Sequence, residues 1–273
     1  MRIGIFTKVF ERASLAETLD AVMDAGLHAV QFNLSCVGLP DMPDLIDLAL
    51  AKHIRRECAA RNIEMSAVSG TFNIIHPDRS LRDANMQRLR VLAAACHDMG
   101  TSIITLSTGT RNAHNMWHRH PENDSAAAWD DMLHAMHQIA QIGAEFDVYM
   151  AFEPEVNNVV DTALKARQLL DSLHSPYIKV VIDGANLFHT GELPMMAHIL
   201  EQAFQLLGPD IVLAHAKDLS RDGDAGHEAA GQGLLDYRLY TRLLQKYGYT
   251  DPLVLHSLTE AQLPGCLRFL NSF

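Results

Sequence analysis

The stretch VYMAFEPE, residues 148–155, joins an apolar run of strand length to two carboxylates, Glu153 and Glu155. The same form recurs downstream, in IKVVID (178–183), IVLAHAKD (211–218) and PLVLHS (252–257). These later runs end on Asp183, on His215, Lys217 and Asp218, and on His256. Every run therefore ends on a residue type that can bind a metal ion. Together the runs indicate one site that is assembled from several strand ends.

Strand-like apolar runs alternate with segments of helical periodicity along the chain. The predicted strands are RIGIF, HAVQFN, IEMSAVS, SIITLST, VYMAFE, IKVVID, IVLAHAK and PLVLHS. The predicted helices cover about 14–25, 43–61, 80–98, 124–146, 158–173, 193–207 and 236–247, with a last helix from about 258. Eight βα units without a linker predict an α/β fold, a single (β/α)8 TIM barrel domain over residues 1–273. An open doubly wound sheet is the alternative, but it would need a glycine-rich turn after the first strand, and FTKVFERAS (6–14) contains no glycine.

Composition excludes several classes of partner. A formal net charge of −11 argues against nucleic acid and against an anionic membrane surface, because both usually require a basic face. No apolar run approaches the length of about 18 residues of a membrane-spanning helix, and the N-terminal segment has a strand pattern rather than that of a signal peptide. The cysteines are scattered and form no CxxC pair, which predicts reduced thiols. We therefore expect a cytoplasmic protein.

In a (β/α)8 barrel, catalytic residues lie at the C-terminal ends of the strands. Glu153, Asp183, His215 and His256 end strands five to eight, and neighbouring strands are only about 4.8 Å apart. Two carboxylates and two imidazoles form a mixed oxygen and nitrogen site, which suits a divalent ion other than Ca²⁺. We therefore predict one bound divalent ion, with Mn²⁺ favoured over Co²⁺, Zn²⁺, Fe²⁺ and Mg²⁺. The alternative is that the acids cap helices and the histidines belong to the core.

Two further residues near these strand ends are predicted to take part in catalysis together with Glu153. Lys217 shares the face of His215, because residues two apart in a strand point to the same side. Its ammonium group would bind an anionic substrate or act as an acid or base, and the alternative is a salt bridge to a nearby acid. Glu155 has the same spacing from Glu153, although Pro154 interrupts the strand.

The rim of the predicted barrel supplies candidate substrate-binding residues. The long loop TGTRNAHNMWHRHPEND (108–124) contains Arg111, which would hold a carboxylate or phosphate, and Trp117, which would stack on a sugar. His76 follows the third strand at the same rim. Asn186 and Asp218, which follow strands six and seven, complete the predicted substrate-binding set.

The segments FEPE, DGAN and HAKD, with the end of strand eight, resemble the xylose isomerase-like sugar phosphate isomerase/epimerase superfamily over essentially the whole chain. The resemblance implies a divalent ion on Glu153, Asp183, His215 and the residue at position 256. This chain departs from the family pattern twice. His256 stands where the epimerases carry a second acid/base glutamate, and Asn186 stands where they carry histidine.

The resemblance implies a metal-dependent isomerase or epimerase that acts on a sugar, sugar phosphate or keto-sugar acid through an enediolate intermediate. An alternative is a metal-dependent lyase, a dehydratase or decarboxylase of keto-sugar acids, which would not need the second glutamate. A third interpretation is a non-catalytic sugar-binding barrel. The expected partner is a small carbohydrate, and an exposed apolar patch on a barrel helix would also support a homo-oligomer.

Overall fold

A closed barrel of eight parallel strands, in the order β1-β2-β3-β4-β5-β6-β7-β8, forms the centre of the computed structural model, which describes residues 1–273. The strands are β1 (Ile3–Phe6), β2 (Ala29–Phe32), β3 (Glu64–Ser69), β4 (Ile103–Ser107), β5 (Tyr149–Glu153), β6 (Ile178–Asp183), β7 (Ile211–Ala216) and β8 (Leu253–Leu255). They alternate with α1 (Leu15–Asp24), α2 (Leu48–Ala60), α3 (Arg79–Met99), α4 (Ala126–Phe146), α5 (Ala163–Leu173), α6 (Met196–Leu207), α7 (Tyr237–Lys246) and α8 (Leu263–Leu270). The predicted (β/α)8 fold is confirmed.

Local signals in the sequence set several helix ends where they were predicted. The Ser14 hydroxyl accepts a hydrogen bond from the backbone N–H of Glu17 at 3.3 Å and so caps α1. Gly100 ends α3 at a φ of 104°, a left-handed conformation that favours glycine. These ends depend on contacts within a few residues, which is why the sequence reveals them.

Two predicted helix starts were wrong. The helix expected from 43 begins at Leu48, because the Asp47 carboxylate accepts the N–H of Ala49 and caps α2 there. The helix expected from 158 begins at Ala163, where Thr162 provides the cap. The preceding residues instead form a loop, residues 154–161, that packs over the end of the barrel.

The last unit of the barrel also differs from the prediction in detail. A short 3-10 turn at Glu260–Gln262 precedes α8, which begins only at Leu263. β8 ends at Leu255, so His256 lies one residue beyond the strand, although its backbone N–H still donates to the Ala216 carbonyl at 3.3 Å. His256 therefore continues the direction of β8 into the mouth of the barrel.

Apolar side chains fill two separate regions. A large core of 70 buried residues includes members from the helices and from the strands, and it joins the helix layer to the barrel. A small cluster fills the barrel interior with Phe6, Ala67, Ala151, Val181, Leu213 and Val254. No helix has the length and hydropathy needed to cross a membrane.

Candidate active site

Polar side chains stand directly above the apolar cluster in the barrel interior. Residues two apart on a strand share a face, so the residue two positions after each interior apolar side chain also points inward. Along β3, β5, β6, β7 and β8 these residues are Ser69, Glu153, Asp183, His215 and His256. The barrel geometry therefore places the predicted metal ligands in one layer at the C-terminal ends of the strands.

Asp183, His215 and His256 form a compact group whose ligand atoms all lie within 4.8 Å of one another. The Nε2 atom of His256 is 3.0 Å from Asp183 Oδ2. Glu153 adjoins this group, since its Oε2 is 3.4 Å from His215 Nδ1. The Nδ1 atom of His215 is buried and has no hydrogen-bond partner. Two imidazoles, two carboxylates and an unpartnered buried nitrogen fit a divalent ion of the Mn²⁺, Co²⁺, Zn²⁺ or Fe²⁺ type.

The charge states of these groups also suit a cation. Burial opposes ionisation of Asp183, but the Lys217 ammonium and a hydrogen bond from His256 hold the pKa of Asp183 below its usual range. Burial lowers the pKa of His256 to about 4, so its imidazole is neutral at pH 7.

Lys217 lies beside this group, as the spacing in HAKD predicts. Its Nζ is 3.7 Å from Asp183 Oδ2, and both side chains are buried. The Tyr237 hydroxyl donates to the Lys217 carbonyl at 2.8 Å and holds the backbone after β7 in place. Lys217 therefore forms the salt bridge that its alternative interpretation predicted, and it also lines the cleft.

Glu155 is buried at the cleft wall although β5 ends two residues earlier. Its Oε1 has no hydrogen-bond partner. Burial raises the pKa of Glu155 to about 8, and the negative charges of Glu153 and Asp183 act in the same direction. A carboxyl group that is protonated at pH 7 and unpartnered can donate a proton to a bound molecule.

A cleft of about 560 Å³ opens above the strand ends, a size typical of small-molecule sites. Glu153, Glu155, His215, Lys217 and His256 all line it. A second cavity of about 490 Å³ lies at the opposite end of the barrel, near the beginnings of β3 and β4. That cavity lacks a comparable group of buried titratable side chains, so the cleft is the better candidate.

The predicted substrate-binding residues divide into two groups. Trp117 lines the cleft and is 51% exposed. Arg111, in contrast, forms a salt bridge with Asp131 at 2.9 Å and also donates to the Ala127 carbonyl. Arg111 does not line the cleft, because its guanidinium group holds the loop against α4.

His76 and Asp218 also hold loops rather than face the cleft. His76 Nε2 is 3.1 Å from the Ala113 carbonyl, and its Nδ1 accepts the N–H of Asp78. The Asp218 carboxylate accepts backbone N–H groups from Leu219, Gly231 and Leu235 and is buried beneath the loop after β7.

Residues 19–270 match a sequence profile of the family described as xylose isomerase-like TIM barrel. The chain belongs to this family. No curated protein matches it in a sequence search. Because the family match covers the barrel from α1 to α8, the resemblance found in the strand-end segments is confirmed.

Solved structures share the xylose isomerase-like fold at low sequence identity. The apo form of 3-keto-D-glucoside 4-epimerase from E. coli has a TM-score of 0.71 at 15% identity, with 100% of both chains covered. The IOLI protein, solved with a zinc atom, has a TM-score of 0.73 at 13% identity, covering 100% of this chain and 96% of that one. The probable 3-DHS dehydratase from Bacillus anthracis has a TM-score of 0.71 at 15% identity, covering 99% of each chain.

The structure shows what His256 and Asn186 contact, the two residues where the resemblance implies other residue types. His256, where the resemblance implies a glutamate, stacks on the Phe6 ring with 4.8 Å between ring centroids. Asn186, where the resemblance implies a histidine, donates from Nδ2 to Glu153 Oε1 at 2.5 Å. Its Oδ1 accepts the N–H of Gly226 at 3.2 Å. Asn186 therefore orients Glu153 from behind and does not line the cleft.

Several polar residues of the site were not predicted. Gln31, Ser69 and Thr105 are buried, and all line the cleft. A signal was present, because each is a polar residue within or at the end of an otherwise apolar strand segment, as in AVQF, SAVS and IITLS. A buried polar group must find a hydrogen-bond partner, so such positions mark an internal polar network.

Proposed function

We propose that this protein is a divalent-metal-dependent enzyme that removes a proton next to the carbonyl group of a small carbohydrate and thereby isomerises or epimerises it. The observation that carries the proposal is the group formed by Asp183, His215 and His256 at three consecutive strand ends, with Glu153 in contact. A divalent ion bound there would supply positive charge to the oxygens of a hydroxy-ketone unit as the proton leaves. Membership of the family and an epimerase among the structural neighbours support this reaction class.

The chain's own groups supply the proton transfers in this proposal. Glu153 reaches the cleft, so it serves as the base that takes the α-proton. Glu155, buried at the cleft wall, replaces the second glutamate that position 256 lacks. Asn186 fixes Glu153 through its amide hydrogen bond. Trp117, at the rim, contacts the sugar.

A lyase reaction on a keto-sugar acid is the second candidate, and Lys217 favours it. A buried ammonium beside the cleft can bind a substrate carboxylate and protonate a leaving oxygen. Loss of water or CO₂ needs no base on the opposite face of the intermediate, which agrees with His256 in place of a glutamate. A probable dehydratase among the structural neighbours supports this alternative.

Deuterium exchange tests the proposal without knowledge of the product. The protein is incubated in D₂O with ketoses, ketose phosphates and keto-sugar acids, before and after chelation, and with Mn²⁺, Co²⁺, Zn²⁺ or Fe²⁺ restored. We expect deuterium next to the carbonyl group of at least one substrate class, its loss on chelation, and its loss in Glu153→Gln but not in the exposed control Glu145→Gln. A new epimer or isomer supports the first candidate, and net loss of water or CO₂ supports the lyase. Absence of both exchange and net loss of water or CO₂ in every class contradicts both candidates and favours a non-catalytic barrel.

A further inference from the structure

Gln31 links the candidate metal centre to the opposite side of the barrel. It lies in β2 and is 1% exposed. Its Oε1 is 2.8 Å from His215 Nε2. Its Nε2 donates to Ser69 Oγ at 2.9 Å and to Thr105 Oγ1 at 3.0 Å. One side chain therefore connects β2, β3, β4 and β7 through buried hydrogen bonds.

Neighbouring hydrogen bonds fit one orientation of the amide groups around Gln31. The backbone N–H of Lys8, which can only donate, approaches Asn33 Oδ1 at 3.4 Å. The amide nitrogen of Asn33 therefore donates to Ser69 Oγ at 3.1 Å. In the structure the amide nitrogen of Gln31 is directed at the Ser69 and Thr105 hydroxyls. The carbonyl oxygen of Gln31 therefore faces His215 Nε2, where it can accept a proton.

This contact determines which nitrogen of His215 keeps a lone pair. A neutral imidazole carries one N–H, and the Gln31 carbonyl holds it on Nε2. The lone pair is then on Nδ1, which is buried, has no hydrogen-bond partner and lies 3.4 Å from Glu153 Oε2. An imidazole lone pair and a carboxylate oxygen that face each other without a proton between them attract a cation.

We propose that Gln31 is a positioning residue that fixes the proton of His215 on Nε2 and so presents Nδ1 to a divalent cation shared with Asp183 and His256. The inference rests on the metal site of the proposed function. Partners that orient metal-binding histidines in this way usually change metal affinity by about 10-fold to 100-fold when they are removed. Gln31 does not itself touch the ion in this proposal.

Cobalt binding and imidazole NMR test this role together. Gln31→Met keeps the length of the side chain and removes the acceptor, whereas Gln31→Glu keeps an acceptor oxygen. The exposed helix residue Gln138 provides the control Gln138→Met. We expect Gln31→Met to weaken Co²⁺ binding by about 10-fold to 100-fold and to alter the cobalt absorption spectrum. Gln31→Glu should stay within about tenfold of the wild type, since a carboxylate also orients a ligating histidine.

The second readout needs no metal. In the chelated wild type, long-range ¹H–¹⁵N spectra should show His215 with its proton on Nε2, and Gln31→Met should shift the proton toward a mixture of the two nitrogens. Thr105→Val removes one hydroxyl that holds the Gln31 amide, so it should move the His215 proton in the same direction but to a smaller extent. This variant replaces Gln31→Met in the test if Gln31→Met does not fold. Unchanged cobalt affinity and an unchanged tautomer in Gln31→Met would overturn the role of Gln31. A wild type that binds no cobalt contradicts the proposed function instead.

Discussion

Lys217 lies where one ammonium group can meet both the Asp183 carboxylate and a molecule in the cleft. Burial acts to lower the pKa of Lys217, but attraction to Asp183, Glu153 and Glu155 outweighs it, so the pKa is raised. Lys217 is therefore charged at neutral pH, as binding of a carboxylate or protonation of a leaving oxygen requires. Among single residues, Lys217 therefore distinguishes the isomerase or epimerase reaction from the lyase reaction most clearly.

Replacement of Lys217 by Met should lower kcat by at least about 10²-fold, the smaller end of the range for a lost general acid. The exposed residue Lys52 provides the matched control Lys52→Met, which should leave kcat unchanged. Steady-state kinetics on the substrate class found by deuterium exchange measures both. A Lys217→Met enzyme with near-normal turnover would assign Lys217 a structural role only.

Glu155 should make stability depend on pH. It holds its proton up to about pH 8 in the folded chain, whereas the unfolded chain releases it near the ordinary value of 4.5. Between these values the folded state binds more protons, so the free energy of unfolding falls as pH rises. From pH 6.5 to 8 the loss should be about 1–2 kcal/mol, and Glu155→Gln should lack it.

Urea unfolding of the chelated wild type and of Glu155→Gln measures this difference. Other groups titrate in both proteins, so their effects cancel in the comparison. Parallel dependence of the two unfolding free energies on pH would show that Glu155 is already ionised in the folded chain, and it could then not serve as the proposed acid.

At the scale of elements, ion pairs and amide hydrogen bonds join the loops after β4, β5 and β7. Arg119 Nη1 is 3.0 Å from Asp161 Oδ2 and so connects the loops after β4 and β5. The amide nitrogen of Asn157 donates to the Trp117 carbonyl at 2.9 Å and to Asp224 Oδ1 at 2.7 Å. These contacts hold Trp117 at the rim of the cleft, although its ring is half exposed.

Trp117→Ala should therefore raise KM by about threefold to tenfold, since an aromatic contact contributes about 0.5–1.5 kcal/mol. The bound metal should stay at the wild-type level, because Trp117 lies in the loop after β4 and not among the strand-end ligands. Metal analysis and KM are measured on the same preparation. An unchanged KM for the true substrate would remove Trp117 from the proposed substrate site.

At the scale of the whole molecule, the fold and the strand-end residues could be predicted because they depend on local periodicity and on one rule of barrel geometry. Parallel strands in a closed barrel all end on the same side, so Glu153, Asp183 and His215 could be grouped before any coordinates. The hydrogen bond between Gln31 and His215 could not be predicted from the sequence, because 184 residues separate its partners. The loop over 154–161 was missed for the same reason, since Val159 N–H bonds to the distant Gly109 carbonyl.

Metal content of the purified protein tests the central claim most directly. We expect one divalent ion per chain in the wild type, held at the ends of β6, β7 and β8. Asp183→Ala should retain none, because it removes the carboxylate of the Asp183, His215 and His256 group. Circular dichroism confirms that the variant remains folded, and the exposed control Asp171→Ala should keep its ion. The account would be contradicted if folded Asp183→Ala kept one ion per chain. It would also be contradicted if the wild type bound no ion after growth and titration with Mn²⁺, Co²⁺, Zn²⁺ and Fe²⁺.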